Sequence, residues 1–289
     1  MLTLLKAPPF ATVQDRGREG HRSAGVPPSG AMDRRALETG NLLVGNPRGS
    51  AAIEWALGGG TLRFDRESAF ALTGAHGRAT LDGAPVPLYR SQPARAGAVL
   101  QVEGLDRGRF LYICVAGGIA VPEVLGSRAT YLPAGLGGLE GRRLRSGDRL
   151  PMGDARRVTS PPEVTEPADD ASPLRVLRGP QADEFDGVAW TRLLNQPFTV
   201  TNASDRMGYR LAGPSVAARH PASLPSEAAC PGAIQVPDGG TPIVLMPDGP
   251  TVGGYPKIAV VIGADLGRLA QRNPGEVVRF TEVEVGRQD

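Results

Sequence analysis

Apolar positions along this chain fall in short runs, mostly five to eight residues, bounded by glycine, proline or aspartate. In the first half these are "TLRFD" (61–65), "SAFALTG" (68–74), "RATLDG" (78–83), "AVLQVEG" (98–104) and "RFLYICVAGG" (109–118). The second half repeats the style in "PLRVLRG" (173–179), "PFTVT" (197–201), "GAIQVP" (232–237), "TPIVLMP" (241–247), "KIAVVIG" (257–263) and "GEVVRFTEVEV" (275–285). Such runs alternate or are rich in Val, Leu, Ile and Phe, the pattern of short strands. Helical spacing is confined to a few places. Residues 29–45 carry Ala31, Leu37 and Leu42 among charged positions, with Ser29 as the expected cap. Residues 181–195 have acids at the start and Arg192 near the end, the sense the helix dipole favours. Residues 264–271 add about two turns, and 48–56 are expected to add a short turn. The chain is therefore expected to be mainly β, with a few short helices.

The composition supports this picture: 39 glycines and 27 prolines among 289 residues leave little room for long helices. Residues 153–173, rich in proline and acids, have little to bury. They read as an interdomain linker (156–172) between β-rich domains at 1–155 and 173–289, or else as a surface excursion within one domain. Net charge is +2, the basic residues are interleaved with acids, and aromatics make up 5%, too sparse for a base-stacking surface. Nucleic acid is not an expected partner. No apolar run reaches the length of a membrane span, and the apolar N-terminus lacks the charged start of a leader, so a cytoplasmic protein is expected. Cys114 lies inside an apolar run and reads as a buried thiol, whereas Cys230 precedes Pro231 in a loop; neither suggests a disulfide. The three histidines, His21, His76 and His220, have no zinc spacing, and no metal site is expected. The glycine-rich stretches 57–64 and 135–144 lack the order of a nucleotide loop.

Four clusters could carry chemistry. The first, residues 12–36, holds Gln14, Asp15, Arg16, His21, Ser29 and Asp33, with Asp15-Arg16-Gly17 composed as a sharp turn leaving a strand. It is either a solvated loop or a binding loop held by a rigid sheet. In the second, "NASDRMGYRLAG" (202–213), Asp205, Arg206 and Arg210 surround a tight bend, as a salt-bridged hairpin tip or as ligand contacts. The third sets Glu227 before a strand carrying Gln235, whose amide needs a partner if it points inward. In the fourth, "MPDGPTVGGYPKIAVVIGADL" (246–266), Gly253-Gly254 and Pro256 shape a loop that runs into a strand at Lys257, one of only two lysines against 30 arginines. Its ammonium can face an anion or lie in water.

Taken together the clusters resemble the family that includes the C subunit of bacterial 5-oxoprolinase, the second-subunit family of allophanate hydrolase, and the carboxyltransferase part of urea amidolyase. The matching stretches run in order over nearly the whole chain. They include "TVQDRGREGHRSAGVPPSGAMD" (12–33), "NLLVGNPRGSAAIEWALGGGTLRF" (41–64), "VLGSRATYLPAGLGGLEGRRLRSGD" (124–148), "RVLRGPQADEF" (175–185), "SDRMGYRLAG" (204–213), "PGAIQVPDGGTPIVLMPD" (231–248) and "GGYPKIAVVIGADLGRLAQ" (253–271). Departures are local. Asp248-Gly249-Pro250-Thr251 stands where relatives usually carry Asp-Arg-Gln-Thr, His21 where an aromatic is commoner, and Ala228 where glycine usually follows the glutamate.

The resemblance implies two cyclophilin-like β-barrel domains and direct work alongside a B subunit, with an A subunit present in the full assembly. That assembly resembles an ATP-dependent hydrolase opening 5-oxo-L-proline, a small lactam, to L-glutamate. No cofactor is expected on this chain, ATP being used by the complex. One alternative is carboxyl transfer from carboxybiotin on another chain to urea or another amide, since the chain lacks a Met-Lys-Met biotin-attachment sequence. Another is a non-catalytic regulatory protein that sequesters a kinase inhibitor. Asp15, Asp205, Glu227 and Lys257 are the expected catalytic groups. Arg16, Ser29, Asp33, Arg206, Gln235, Asp248 and Tyr255 are the expected substrate contacts, arranged around a cleft between the domains.

Overall fold

The computed structural model describes residues 1–155, 162–167, 171–219 and 224–284. His220 and most of the expected linker at 156–172 lie outside the described residues. The protein is mainly β, with two sheet-bearing units and few short helices. One unit comprises Met1–Glu19 and Ser29–Ala168, the other Gly20–Pro28 and Asp169–Asp289. Among the described residues no helix is long and apolar enough to cross a membrane.

The first unit is built on a nine-stranded sheet. Its main path runs Phe10–Gln14, Ala52–Ala56, Val99–Val115, Gly60–Phe64, Leu2–Lys6 and Arg149–Leu150, each pair antiparallel. The runs expected as separate strands at 68–74 and 78–83 are one strand, Ser68–Leu81, and those at 98–104 and 109–118 form most of another, Val99–Val115. These two pair along their length, with register shifts at Gly74/His76, His76/Gly77 and Arg78/Ala79. The glycines that read as breaks are bulges, which bend a strand without ending it. One face buries Leu4, Val13, Ile53, Trp55, Phe64, Phe70, Leu72, Leu100 and Ile113 in a common core.

Helix α1 (Arg34–Leu43) packs against the two long strands. Thr73 Oγ1 donates to the Ala36 carbonyl at 2.8 Å. The expected cap at Ser29 is corrected to Asp33, whose carboxylate accepts from Ala36 N at 3.0 Å. An aspartate immediately before the first turn satisfies a helix N–H that Ser29, four residues earlier, cannot reach. The turn expected within 48–56 is present at its start, where Ser50 N donates to Pro47 O at 3.0 Å, but the rest is corrected: Ala52–Ala56 is a strand with all five residues buried. Burial on both faces erases the alternation that marks a half-exposed strand. Glu54, within it, accepts from Tyr112 Oη at 2.7 Å and from Met32 N at 2.9 Å.

The second unit holds an eight-stranded sheet in the order Val277–Val278, Phe198–Val200, Gly208–Ala212, Ile243–Leu245, Ala233–Gln235, Lys257–Val261, Leu174–Arg178 and Phe280–Glu282. All neighbours are antiparallel except the last two, which are parallel. A separate two-stranded ladder joins Glu227–Ala228 to Val252–Gly253. Helix α2 (Gly187–Asn195) lies within the expected 181–195, starting six residues later, and α3 (Gly263–Ala270) is offset by one residue from the expected 264–271. Phe198 and Phe280 pack with ring centroids 6.0 Å apart, and Tyr209 Oη donates to the Ala270 carbonyl at 2.7 Å. The sheet's centre thus holds the strands that begin at Lys257 and end at Gln235.

Candidate functional site

In the second unit Lys257 and Gln235 stand directly opposite each other on neighbouring antiparallel strands, and both are buried. The register shifts between Ile234 and Gln235. The Lys257 side chain is only 4% exposed, and the Gln235 amide lies against Gly253 of the neighbouring ladder. Burying a charge is costly unless it is paired. The pairing is made by Glu227, whose Oε1 accepts from Lys257 Nζ while 42% of its side chain stays exposed. Glu227 is set there by the two-stranded ladder, in which it opposes Gly253.

The glycine at 253 lies against the end of the Gln235 side chain. A Cβ there would sit 2.6 Å from Gln235 Nε2. That nitrogen is buried and has no hydrogen-bond partner among the described residues, which answers the question raised by a polar residue in an apolar strand.

A fourth side chain completes the group. The chain leaving Leu174–Arg178 passes so close to Lys257 that a Cβ on Gly179 would strike the Lys257 carbonyl. Gly179 N donates to Ile258 O at 2.9 Å and Gln181 N to Lys257 O at 3.3 Å, fastening this turn to the neighbouring strand. Gln181 then places its amide between the charged partners: Lys257 N donates to its Oε1 at 3.1 Å, and its Nε2 donates to Glu227 Oε1 at 2.7 Å. Sequence reading misses Gln181. The available signal is "RGPQ" directly after an apolar strand, a proline-fixed turn delivering a polar side chain to a strand end.

The hydrogen bond from Lys257 holds the Glu227 carboxyl below its ordinary 4.5, with the lysine charge and the Gln181 amide adding to it and partial desolvation opposing. Glu227 is ionised at neutral pH. The group offers a cationic donor, an orphaned amide donor and an anionic acceptor within one small set, the equipment to hold a carbonyl and an adjacent N–H.

The remaining expected site residues divide between the units. In the second unit Arg206 and Asp248 bind each other bidentately, Nε to Oδ2 at 2.8 Å and Nη2 to Oδ1 at 3.0 Å, both buried. Asp205 Oδ1 accepts from Met207 N at 2.8 Å and Gly208 N at 3.2 Å, shaping the bend before a strand. Tyr255 is exposed. In the first unit Asp15 accepts from Gly17 N at 2.7 Å, Ser127 Oγ at 2.7 Å and Arg128 N at 2.6 Å. Arg16 pairs with Glu38 at 2.9 Å. Ser29 is buried with φ 53°, its hydroxyl unpartnered among the described residues, and Asp33 caps α1. Asp15, Arg16 and the Ser29-Gly30 turn come together, since Ala31 N donates to Asp15 O at 2.9 Å and a Cβ on Gly30 would lie 2.7 Å from the Arg16 carbonyl carbon. The sequence cluster at 12–36 is divided: Gly20–Pro28, with His21, groups with the second unit.

Comparison with known proteins places this geometry in context. The family of the carboxyltransferase domain, subdomain A and B, matches residues 24–282. The C subunit of Escherichia coli 5-oxoprolinase is 42% identical over 282 residues, covering 98% of this chain and 91% of that protein. Among solved structures, the K. lactis urea amidolyase superposes with a TM-score of 0.90 at 30% identity, covering 98% of this chain and 19% of that one. TTHA0988 does so with a TM-score of 0.88 at 33% identity, covering 97% of this chain. This chain spans 55% of the TTHA0988 chain, about half its length.

Proposed function

From the premise that the chain belongs to the family of the carboxyltransferase domain, subdomain A and B, we propose that it is the C subunit of an ATP-dependent 5-oxoprolinase. In this reading it acts with the A and B subunits to open 5-oxo-L-proline to L-glutamate. The observation that carries the reading is the 42% identity to the C subunit of a 5-oxoprolinase over 98% of this chain. The Glu227–Lys257–Gln235 group supplies a fitting chemistry. A lactam presents a carbonyl oxygen and a ring N–H side by side. Lys257 and Gln235 donate to the oxygen and stabilise charge that develops on it, and the Glu227 carboxylate accepts from the N–H or orients the attacking water. ATP activates the lactam carbonyl and is bound elsewhere in the complex, which works in the cytoplasm. Each unit is a cyclophilin-like barrel in this proposal, and Arg206–Asp248 braces the second one rather than touching substrate.

A second reading is favoured by the likeness to urea amidolyase: carboxyl transfer from carboxybiotin on another chain to an amide nitrogen at the same group. One experiment separates the two. The chain is purified with its natural B and A partners, and 5-oxoproline-dependent ATP hydrolysis and glutamate release are followed. Turnover is expected only in the complete mixture, and Lys257→Met is expected to lower kcat/KM by about 100-fold, the loss typical of one oxyanion donor. A stable complex that is inactive on 5-oxoproline but transfers carboxyl from carboxybiotin to urea would replace the first reading with the second.

A further inference from the structure

Glu227 has two carboxylate oxygens, and the structure treats them differently. Oε1 accepts from both Lys257 Nζ and Gln181 Nε2, while Oε2 accepts from no group among the described residues. A lone lysine beside a half-exposed carboxylate does not enforce that asymmetry, because the carboxylate can turn and offer the ammonium either oxygen or both.

The amide of Gln181 does enforce it. Its orientation is fixed, since the backbone N–H of Lys257 can only donate and so must meet Oε1, at 3.1 Å. The amide NH₂ is thereby turned to Glu227 and holds Oε1 at 2.7 Å. The main chain of Gln181 is anchored beside the lysine strand, because Gly179 N and its own N–H donate to Ile258 O and Lys257 O. Lys257 Nζ also lies 3.5 Å from Gln181 Oε1, so two of the three ammonium protons have protein acceptors and one is left for a ligand.

We infer that Gln181 is a positioning residue of this site: its amide occupies Oε1 of Glu227 together with Lys257, so that Oε2 and the remaining lysine proton face the substrate. The inference rests on the reading that the Glu227–Lys257 group is the reacting site, and it adds to that group a residue that touches no substrate.

Gln181→Glu is the informative change. It keeps the shape and the acceptor for Lys257 N, but it replaces the donor to Glu227 with a second carboxylate. Two carboxylates then share one lysine, which raises the pH at which the pair takes up a proton by about one unit or more. In the complete complex, the acid limb of kcat/KM for glutamate release is expected to move up by that amount. At the pH optimum kcat is expected to fall about 10- to 100-fold with KM changed less than about threefold, the pattern of lost alignment rather than lost binding.

A readout independent of turnover comes from the composition. The chain has two lysines, Lys6 and Lys257, so ¹⁵Nζ-lysine labelling of this chain gives two signals. The Lys257 signal is expected to move in Gln181→Glu while Lys6 stays. If Gln181→Glu does not fold, Gln181→Met removes the amide without adding charge and is expected to give the same kcat loss and the same selective shift. An acid limb and a Lys257 signal both matching wild type would overturn the inference and leave Gln181 a turn residue. If the wild-type complex shows no oxoprolinase turnover while the Lys257 signal still responds to Gln181→Glu, the reaction assigned above fails and the positioning of Glu227 stands.

Discussion

Asp248→Asn tests whether the Arg206–Asp248 pair is a structural brace. The side chains are 7% and 3% exposed and joined by hydrogen bonds of 2.8 and 3.0 Å. Asparagine keeps one acceptor oxygen but no charge, so the buried guanidinium loses the charge of its bidentate partner. Breaking a buried pair from one side costs about 3–5 kcal/mol, and the retained acceptor puts this case near the lower end, about 3 kcal/mol. With a urea m-value of about 1.5 kcal/mol/M for a unit of this size, the midpoint of the second unit falls by about 2 M. The double variant Arg206→Met/Asp248→Leu removes both charges and fills the space with apolar atoms, so its midpoint is expected within about 0.7 M of the parent. The transitions can be followed by far-UV circular dichroism and by the fluorescence of Trp55 and Trp190, one in each unit. A fall below about 0.3 M in Asp248→Asn, joined to a tenfold or larger rise in KM, would refute the reasoning. The pair would then serve a ligand.

Asp265, in the first turn of α3, accepts from Arg175 N, Nε and Nη2 at 2.8, 3.1 and 2.7 Å and pairs with Arg268 at 3.2 Å. Burial pushes its carboxyl up, but the Arg175 bonds and charge outweigh this and hold it below its ordinary 3.8. A carboxyl depressed on folding contributes stability above its unfolded value and loses it as pH falls through the folded one. Urea midpoints of the second unit should therefore drop below about pH 4. Asp265→Asn should cost about 1–2 kcal/mol at pH 7, discounted because Arg175 is half exposed, and should flatten the acid slope; an unchanged slope would count against the assignment. The two thiols give a simpler check. Cys114 is fully buried under α1, and burial pushes its thiol well above 9.0, whereas Cys230 is exposed. A disulfide reagent should titrate one thiol in the native protein and two in denaturant, and two fast thiols without denaturant would contradict the packing of α1.

What the sequence discloses depends on how local the cause is. Lys257–Val261, Ala233–Gln235 and Leu174–Arg178 are strands where apolar runs sit between turn residues, and α2 and α3 fall where helical spacing and charge placement agree. Ala52–Ala56 is hidden because both its faces are buried, so no alternation survives, and its one polar position, Glu54, meets partners at Met32 and Tyr112 that lie far along the chain. The two long strands of the first unit read as four because a glycine in a strand marks a bulge as readily as an end.

The site follows the same logic at longer range. Gln181, Glu227 and Lys257 are separated by 46 and 30 residues and meet only through sheet register. Residue type cannot distinguish a charged side chain that faces a ligand from one that completes a pair within the fold. Arg206 with Asp248 carries the same cation–carboxylate chemistry as Lys257 with Glu227, and Asp15 is another carboxylate among the expected site residues, held by the Ser127 hydroxyl and the Arg128 backbone N–H. The difference lies in the capacity left after folding. Both oxygens of Asp248 and both of Asp15 are occupied by protein donors, whereas Glu227 Oε2, the Gln235 amide nitrogen and one proton of Lys257 have none to meet among the described residues. A buried polar atom without a partner, as the Gln235 nitrogen is among the described residues, carries a standing cost of about 1–3 kcal/mol, which a bound carbonyl can remove. That unused capacity, on two side chains of the eight-stranded sheet and one of the adjoining two-stranded ladder, is the physical reason this group is the one proposed for the substrate.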